Sequence, residues 1–160
     1  MKRNIIVLLV AVVVVAGAWY LSSQSTTAPQ VSDLPEPPSD TTMQDDGVSH
    51  VFEFEQAAYQ EALDQGKLVV LYFYANWCPI CKAEFPNMQE AFSELGNDQV
   101  IGFRVHFNDN QVTQEQKDLA REFGIAYQHT KVFVKNGEQI LKAPDSWEKQ
   151  RYLDEISNQF

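Results

Sequence analysis

Leu68-Val69-Val70-Leu71-Tyr72-Phe73-Tyr74-Ala75-Asn76-Trp77-Cys78-Pro79-Ile80-Cys81-Lys82 joins a strand, a turn and a reactive pair in one stretch. Residues 68–74 form an unbroken apolar run rich in β-branched and aromatic side chains, the pattern of a central strand buried on both faces. Two cysteines follow at once, three positions apart, where the chain turns into a helix predicted over residues 81–95. A helix N-terminus carries free N–H groups and a partial positive charge, and both favour a thiolate over a thiol. Cys78 is therefore expected to attack and Cys81, one turn further in and more buried, to resolve. Pro79 stands in the first turn, where a missing N–H costs nothing. The pair can close a Cys78–Cys81 disulfide and reopen it by exchange.

Working outward, the spacing predicts an order β-α-β-α-β-α-β-β-α. A short strand falls at residues 51–54 and a helix at 56–65, stopped by Gly66. Pro86 interrupts the helix after the cysteines and is expected to kink it. A second buried strand covers residues 100–107. A helix covers 113–123, with Thr113 as N-cap, Gln116 placed for a capping box and Gly124 as its stop. Strands at 130–134 and 139–141 are joined by Asn136-Gly137, a strong hairpin signal. The closing helix is predicted over 146–158, capped by Asp145 or Ser146, with Trp147, Tyr152, Leu153 and Ile156 turned inward. Strands interleaved with helices imply an α/β fold, a central mixed sheet with helices on both faces.

Upstream, Lys2 and Arg3 precede an apolar run over residues 5–21 that ends in Trp19-Tyr20-Leu21. This length just spans a bilayer, and the leading positive charges place residues 1–4 inside. We read residues 5–21 as a transmembrane signal anchor that puts the rest of the chain on the extracytoplasmic side. The alternative is a signal peptide cleaved at Ala16-Gly17-Ala18, which would leave a secreted or periplasmic domain. Residues 22–47 hold Pro29, Pro35, Pro37 and Pro38, several acids and no basic residue, the composition of a disordered linker. Residues 48–160 form the folded domain.

The chain of 160 residues carries a net charge of −10 and no Lys/Arg stripe, which argues against a nucleic-acid partner. With 44% hydrophobic residues, including ten Phe and three Trp, it can build a core without disulfide staples. Two cysteines so close would add little chain-entropy stabilisation, so chemistry explains them better than stapling. A monomer is the default expectation.

The segment Tyr72 to Lys82 with Pro86, the later Phe123-Gly124-Ile125 and Lys135-Asn136-Gly137-Glu138 together resemble the thioredoxin superfamily over about residues 50 to 158. The resemblance implies a thioredoxin fold and thiol–disulfide exchange with protein dithiols or disulfides, needing no cofactor. Cys78 to Pro86, with Glu84, is similar to the exported, membrane-tethered thioredoxins of cytochrome c maturation. There such a glutamate tunes the cysteines or relays protons, and a membrane partner recharges the pair. A solvated helix residue is the other reading of Glu84. Trp77, Pro79, Ile80, Tyr127, Gln128 and Thr130 are expected to line the substrate groove.

Two positions depart from the family pattern. The buried acid usual six residues before the first cysteine is Tyr72 here. The proline that usually faces the cysteines in a cis bond is His129, whose peptide is expected to be trans. Four roles are open for His129: stabilising the Cys78 thiolate as an imidazolium, acting as general base, ligating a metal with Cys78 and Cys81, or serving only as a loop residue. A copper or zinc ion fits the donor set, and copper-delivery proteins of oxidase assembly resemble the arrangement with more widely spaced cysteines. His50 and His106 are expected to be structural, and Asn108-Asp109-Asn110 a turn before a helix.

Overall fold

The computed structural model describes residues 49–160. The anchor expected at residues 5–21, the linker and the start of the domain at 48 lie outside the described residues. Among the described residues no helix is long and apolar enough to cross a membrane.

The described residues form nine elements in the order β1 (His50–Glu53), α1 (Gln56–Asp64), β2 (Leu68–Tyr74), α2 (Pro79–Leu95), β3 (Val100–His106), α3 (Gln114–Glu122), β4 (Thr130–Lys135), β5 (Glu138–Ala143) and α4 (Lys149–Ser157). The five strands form one sheet in the order β1-β3-β2-β4-β5. β1 and β2 run parallel to β3, whereas β4 is antiparallel to β2 and β5 antiparallel to β4. The sheet is mixed, as the element order implies.

β2 lies at the centre, and every one of its residues is buried. Side chains alternate across a strand, so its apolar run feeds two cores. Leu68, Val70, Tyr72 and Tyr74 pack on one face with Met88 and Phe92 of α2 and Tyr152 and Ile156 of α4. Val69, Leu71 and Phe73 pack on the other with Tyr59 and Ala62 of α1 and Leu119 and Ala120 of α3. Both cysteines belong to the first core. That core also explains Gly102 on β3, where an added Cβ would meet the Phe92 ring and the Val51 side chain at 3.0 Å. Any side chain there would have to push the Phe92 ring or Val51 aside where α2 comes down on the sheet.

The local signals hold in detail at two places. Thr113 Oγ1 accepts the Gln116 N–H at 3.3 Å while Gln116 Oε1 accepts the Thr113 N–H at 3.0 Å, a closed capping box. Asn136 and Gly137 both adopt positive φ, 54° and 77°, as a tight hairpin of this twist requires.

Elsewhere boundaries move. α2 begins at Pro79 with Cys78 as its N-cap, two residues before the predicted start. β5 is longer than expected at both ends. The closing helix begins at Lys149, not 146, and neither Asp145 nor Ser146 caps it. The physical reason is a competing demand: Ser146 Oγ and the Trp147 N–H both point at Glu84, and the Asp145 carboxylate accepts the Arg151 guanidinium. Trp147 is buried as expected, but from the loop ahead of the helix.

Candidate active site

Local backbone chemistry builds the cysteine pair. β2 ends at Tyr74, the chain turns through Ala75-Asn76-Trp77, and Cys78 caps α2 with extended backbone angles. Its Sγ accepts the Cys81 N–H at 3.1 Å, so a free helix-end donor points at the sulfur. Both cysteines are free thiols. They are equally enclosed, 1% and 2% exposed, which corrects the expectation that Cys81 is the more buried of the two. Burial, followed by the hydrogen bond with Cys78, pushes the Cys81 thiol up to about 11.

The turn ahead of Cys78 is clamped by the β3–α3 loop. Asp109 accepts the Asn76 N–H at 2.9 Å, Asn110 Oδ1 accepts Asn76 Nδ2 at 2.7 Å, and the Asn108 carbonyl accepts Trp77 Nε1 at 3.1 Å. Asp109 is itself held by His106 Nδ1 at 2.8 Å and the Gln111 N–H at 2.9 Å. Burial alone would raise its carboxyl, but these donors outweigh burial and hold it below its ordinary value. His106 also meets the Tyr74 hydroxyl at 2.9 Å, the structural role expected of it. The Asn108-Asp109-Asn110 segment, expected as a simple turn, fixes the loop that carries the first cysteine.

Beneath the pair lies a buried polar cluster. Glu84, on α2, is 1% exposed, which removes the reading of a solvated helix residue. It receives Lys131 Nζ at 2.6 Å, the Tyr152 hydroxyl at 2.8 Å, the Trp147 N–H at 3.0 Å, and the Tyr72 and Ser146 hydroxyls at 3.3 Å each. Tyr72 occupies the position of the missing acid, and its oxygen lies 3.5 Å from the Cys81 carbonyl. Burial, with Glu84 and Cys81 beside it, drives the Tyr72 phenol far above its ordinary value. Lys131, on β4, is fully buried and also reaches the His129 carbonyl at 3.1 Å. Burial lowers its ammonium, against the raising effect of Glu84.

Lys131, Tyr152, Ser146 and Asp109 escape sequence reasoning. Lys131 leaves one usable trace, a charge in the otherwise apolar alternation of Thr130-Lys131-Val132-Phe133-Val134. On β4 it shares a face with Phe133, toward the core that holds the cysteines.

His129 closes the site from the β4 side. Its φ is +55°, and no peptide bond is cis among the described residues. Its Nδ1 is buried with no hydrogen-bond partner. Burial, then the Lys131 charge, lowers its imidazole below the ordinary value, which favours the neutral ring. One ligand atom each from Cys78, Cys81 and His129 lies within 4.8 Å of the others. Of the expected groove residues, Trp77, Ile80 and Tyr127 are 52%, 47% and 46% exposed, and Pro79 is exposed too. Gln128 is half-buried. Thr130 is buried and spends its hydroxyl on the Tyr127 carbonyl at 2.8 Å, so it shapes the turn rather than an open groove wall.

The thioredoxin family model matches residues 50–158. The chain is 35% identical over 78 residues to Thioredoxin-T of Drosophila melanogaster, covering 49% of this chain and 45% of that protein. It is 32% identical over 82 residues to a thioredoxin of Malassezia sympodialis, covering 51% and 72%. Protein disulfide-isomerase of Oryctolagus cuniculus is 29% identical over 109 residues, 68% of this chain but only 20% of that protein. Among solved structures, spinach chloroplast thioredoxin F superposes with a TM-score of 0.56 at 26% identity, over 69% of this chain and 94% of its own. A protein from Edwardsiella tarda titled Trxlp shares the fold with a TM-score of 0.57 at 23% identity, over 67% and 98%.

Proposed function

The chain belongs to the thioredoxin family, and on that premise we propose that it is a thiol–disulfide oxidoreductase that exchanges electrons with protein substrates through Cys78 and Cys81. The observation that carries this reading is the Cys78 sulfur, placed as helix cap beneath the Cys81 N–H with a second thiol one turn away.

The Cys78 thiolate attacks one sulfur of a substrate disulfide. The substrate S–S bond breaks, a Cys78–substrate disulfide forms, and the departing sulfur takes a proton. Cys81 then loses its proton and attacks Cys78 Sγ. The Cys78–Cys81 disulfide closes and the substrate leaves as a dithiol, two electrons richer. A partner dithiol reverses the sequence to recharge the pair. Because Cys81 is held as a thiol near 11, the second attack needs a group to take its proton. The Tyr72 hydroxyl meets the Cys81 side chain as well as Glu84 and offers a path toward the carboxylate. Trp77, Ile80 and Tyr127 give substrates an exposed apolar surface beside the sulfurs.

The reading extends to location. Lys2 and Arg3 ahead of the apolar run at residues 5–21 support a membrane tether with the domain outside, where the chain would act as a monomer recharged by a membrane partner. Glu84 and Pro86 after the cysteines support a place among the tethered thioredoxins of cytochrome c maturation. Carbonate extraction of membranes tests the tether: the chain stays in the pellet if residues 5–21 anchor it and is released if they do not. Insulin reduction by the purified chain with dithiothreitol tests the chemistry. Cys78→Ser is expected to abolish turnover, and turnover at the wild-type rate in that variant would contradict the role of Cys78.

A further inference from the structure

We propose that reduced Cys78 and Cys81, together with His129, form a three-coordinate site for a soft monovalent metal ion, Cu(I), whose occupation excludes disulfide exchange. The juxtaposition is already made, with the three ligand atoms within 4.8 Å of one another. Ligands about 2.0–2.3 Å from a shared three-coordinate ion stand roughly 3.5–4 Å apart, so the site closes by about an ångström at the longest distance.

Two further features of His129 point the same way. Its Nδ1 is buried and unpaired, although a buried ring nitrogen ordinarily finds a partner. The ring is thus not committed to any other group through that atom. The backbone beneath it is held at φ +55°, a conformation that a side chain larger than glycine enters at some cost. The loop is held there by neighbours: Lys131 Nζ donates to the His129 carbonyl at 3.1 Å, and Thr130 Oγ1 donates to the Tyr127 carbonyl at 2.8 Å. Strain of this kind persists where surroundings over-determine it, and its effect here is to hold an imidazole against two sulfurs.

The donor set selects the metal. Two thiolates and one imidazole are soft-to-borderline ligands. Zinc takes four protein ligands in structural sites, and where it has three, as in Cys2His sites, it keeps a water in the fourth position; among the described residues no fourth Cys, His, Asp or Glu joins this cluster, and both cysteines are enclosed from solvent. Cu(I) is satisfied by three. Binding displaces the two thiol protons into solution and changes no oxidation state. The disulfide form offers no thiolates and cannot bind, while the metal-bound form has no free nucleophile. Oxidation therefore empties the site, and metal silences the exchange chemistry. The site itself does not depend on that chemistry, because it needs only the reduced thiols.

The test uses the full chain, reduced and freed of reductant without air, titrated with Cu(I) against the chromogenic chelator bathocuproine disulfonate. The proposal expects one Cu(I) per reduced chain and none per oxidised chain. It also expects affinity at least about tenfold weaker in His129→Ala, the smaller end of losses seen even for residues outside a coordination sphere. Equal affinity in wild type and His129→Ala would reduce the site to a bare dithiol and overturn it. X-ray absorption of the wild-type complex is independent of whether the variant folds: two sulfur and one nitrogen neighbours support the site, and sulfur alone overturns it. A preference for Zn(II) over Cu(I) in the same titration overturns the choice of metal. One equivalent of Cu(I) is expected to stop insulin turnover and the chelator to restore it. Turnover of the metal-free chain, measured separately, reports on the exchange reading alone.

Discussion

Glu84 and Lys131 are both fully buried and 2.6 Å apart, so each depends on the other to remain where it is. Removing one partner of a buried pair leaves an uncompensated charge and costs about 3–5 kcal/mol. Lys131→Met is therefore expected to lower the urea midpoint sharply, whereas Lys149→Ala, which breaks the exposed pair with Glu94, leaves it in place. An unchanged midpoint in Lys131→Met would mean that Glu84 is satisfied by its four other donors alone. Residue identity at the cysteines makes a different prediction. Cys81→Ser removes the second attack and is expected to accumulate a Cys78–substrate mixed disulfide, visible as a mass shift on a non-reducing gel. At this scale the sequence speaks unevenly. Cys78 and Cys81 are legible because their spacing and their place after a buried strand mean something without a fold. The burial of Glu84 is not, because an acid on a helix reads the same whether its face meets water or a lysine from a strand 47 positions away.

Elements sit where they do because of a few close approaches. Gly102 lets α2 pack on β3, with Phe92 and Val51 filling the space a Cβ would need. Gly102→Ala should cost about 1–3 kcal/mol through overpacking, read as a lower thermal midpoint with the exchange chemistry retained. The β3–α3 loop carries the pH-sensitive clamp. Asp109 is held below its ordinary value of 3.8. The unfolded chain thus takes up a proton before the folded one does as pH falls. The stability Asp109 contributes is fully present above about pH 4 and is lost as pH drops through the folded value. Asp109→Asn should flatten the fall in thermal midpoint as the pH drops below about 4, and an identical acid limb would contradict the clamp. Strand and helix types follow from periodicity, and the capping box and hairpin from local pairs of residues. The start of α4 does not, since Ser146 and Asp145 are good caps in isolation and are drawn away by Glu84 and Arg151.

The whole molecule places one reactive pair at the edge of a core shared by β2, α2 and α4. The order of elements implies a mixed sheet. The pairing of β2 with β3 on one side and β4 on the other then brings Lys131 and His129 to the cysteines from a segment far along the chain. That convergence is a property of topology, which is why the Cys-Cys motif is readable in the sequence and most of its surroundings are not. The account stands or falls on reversible chemistry at Cys78 and Cys81. The most direct measurement equilibrates the purified chain with graded glutathione or dithiothreitol buffers and quantifies the reduced fraction by alkylation and mass spectrometry. Reversible exchange predicts a single two-electron couple, its oxidised/reduced ratio changing tenfold per about 30 mV of buffer potential, absent from Cys78→Ser. A pair that stays reduced, or stays oxidised, across the whole range would contradict it.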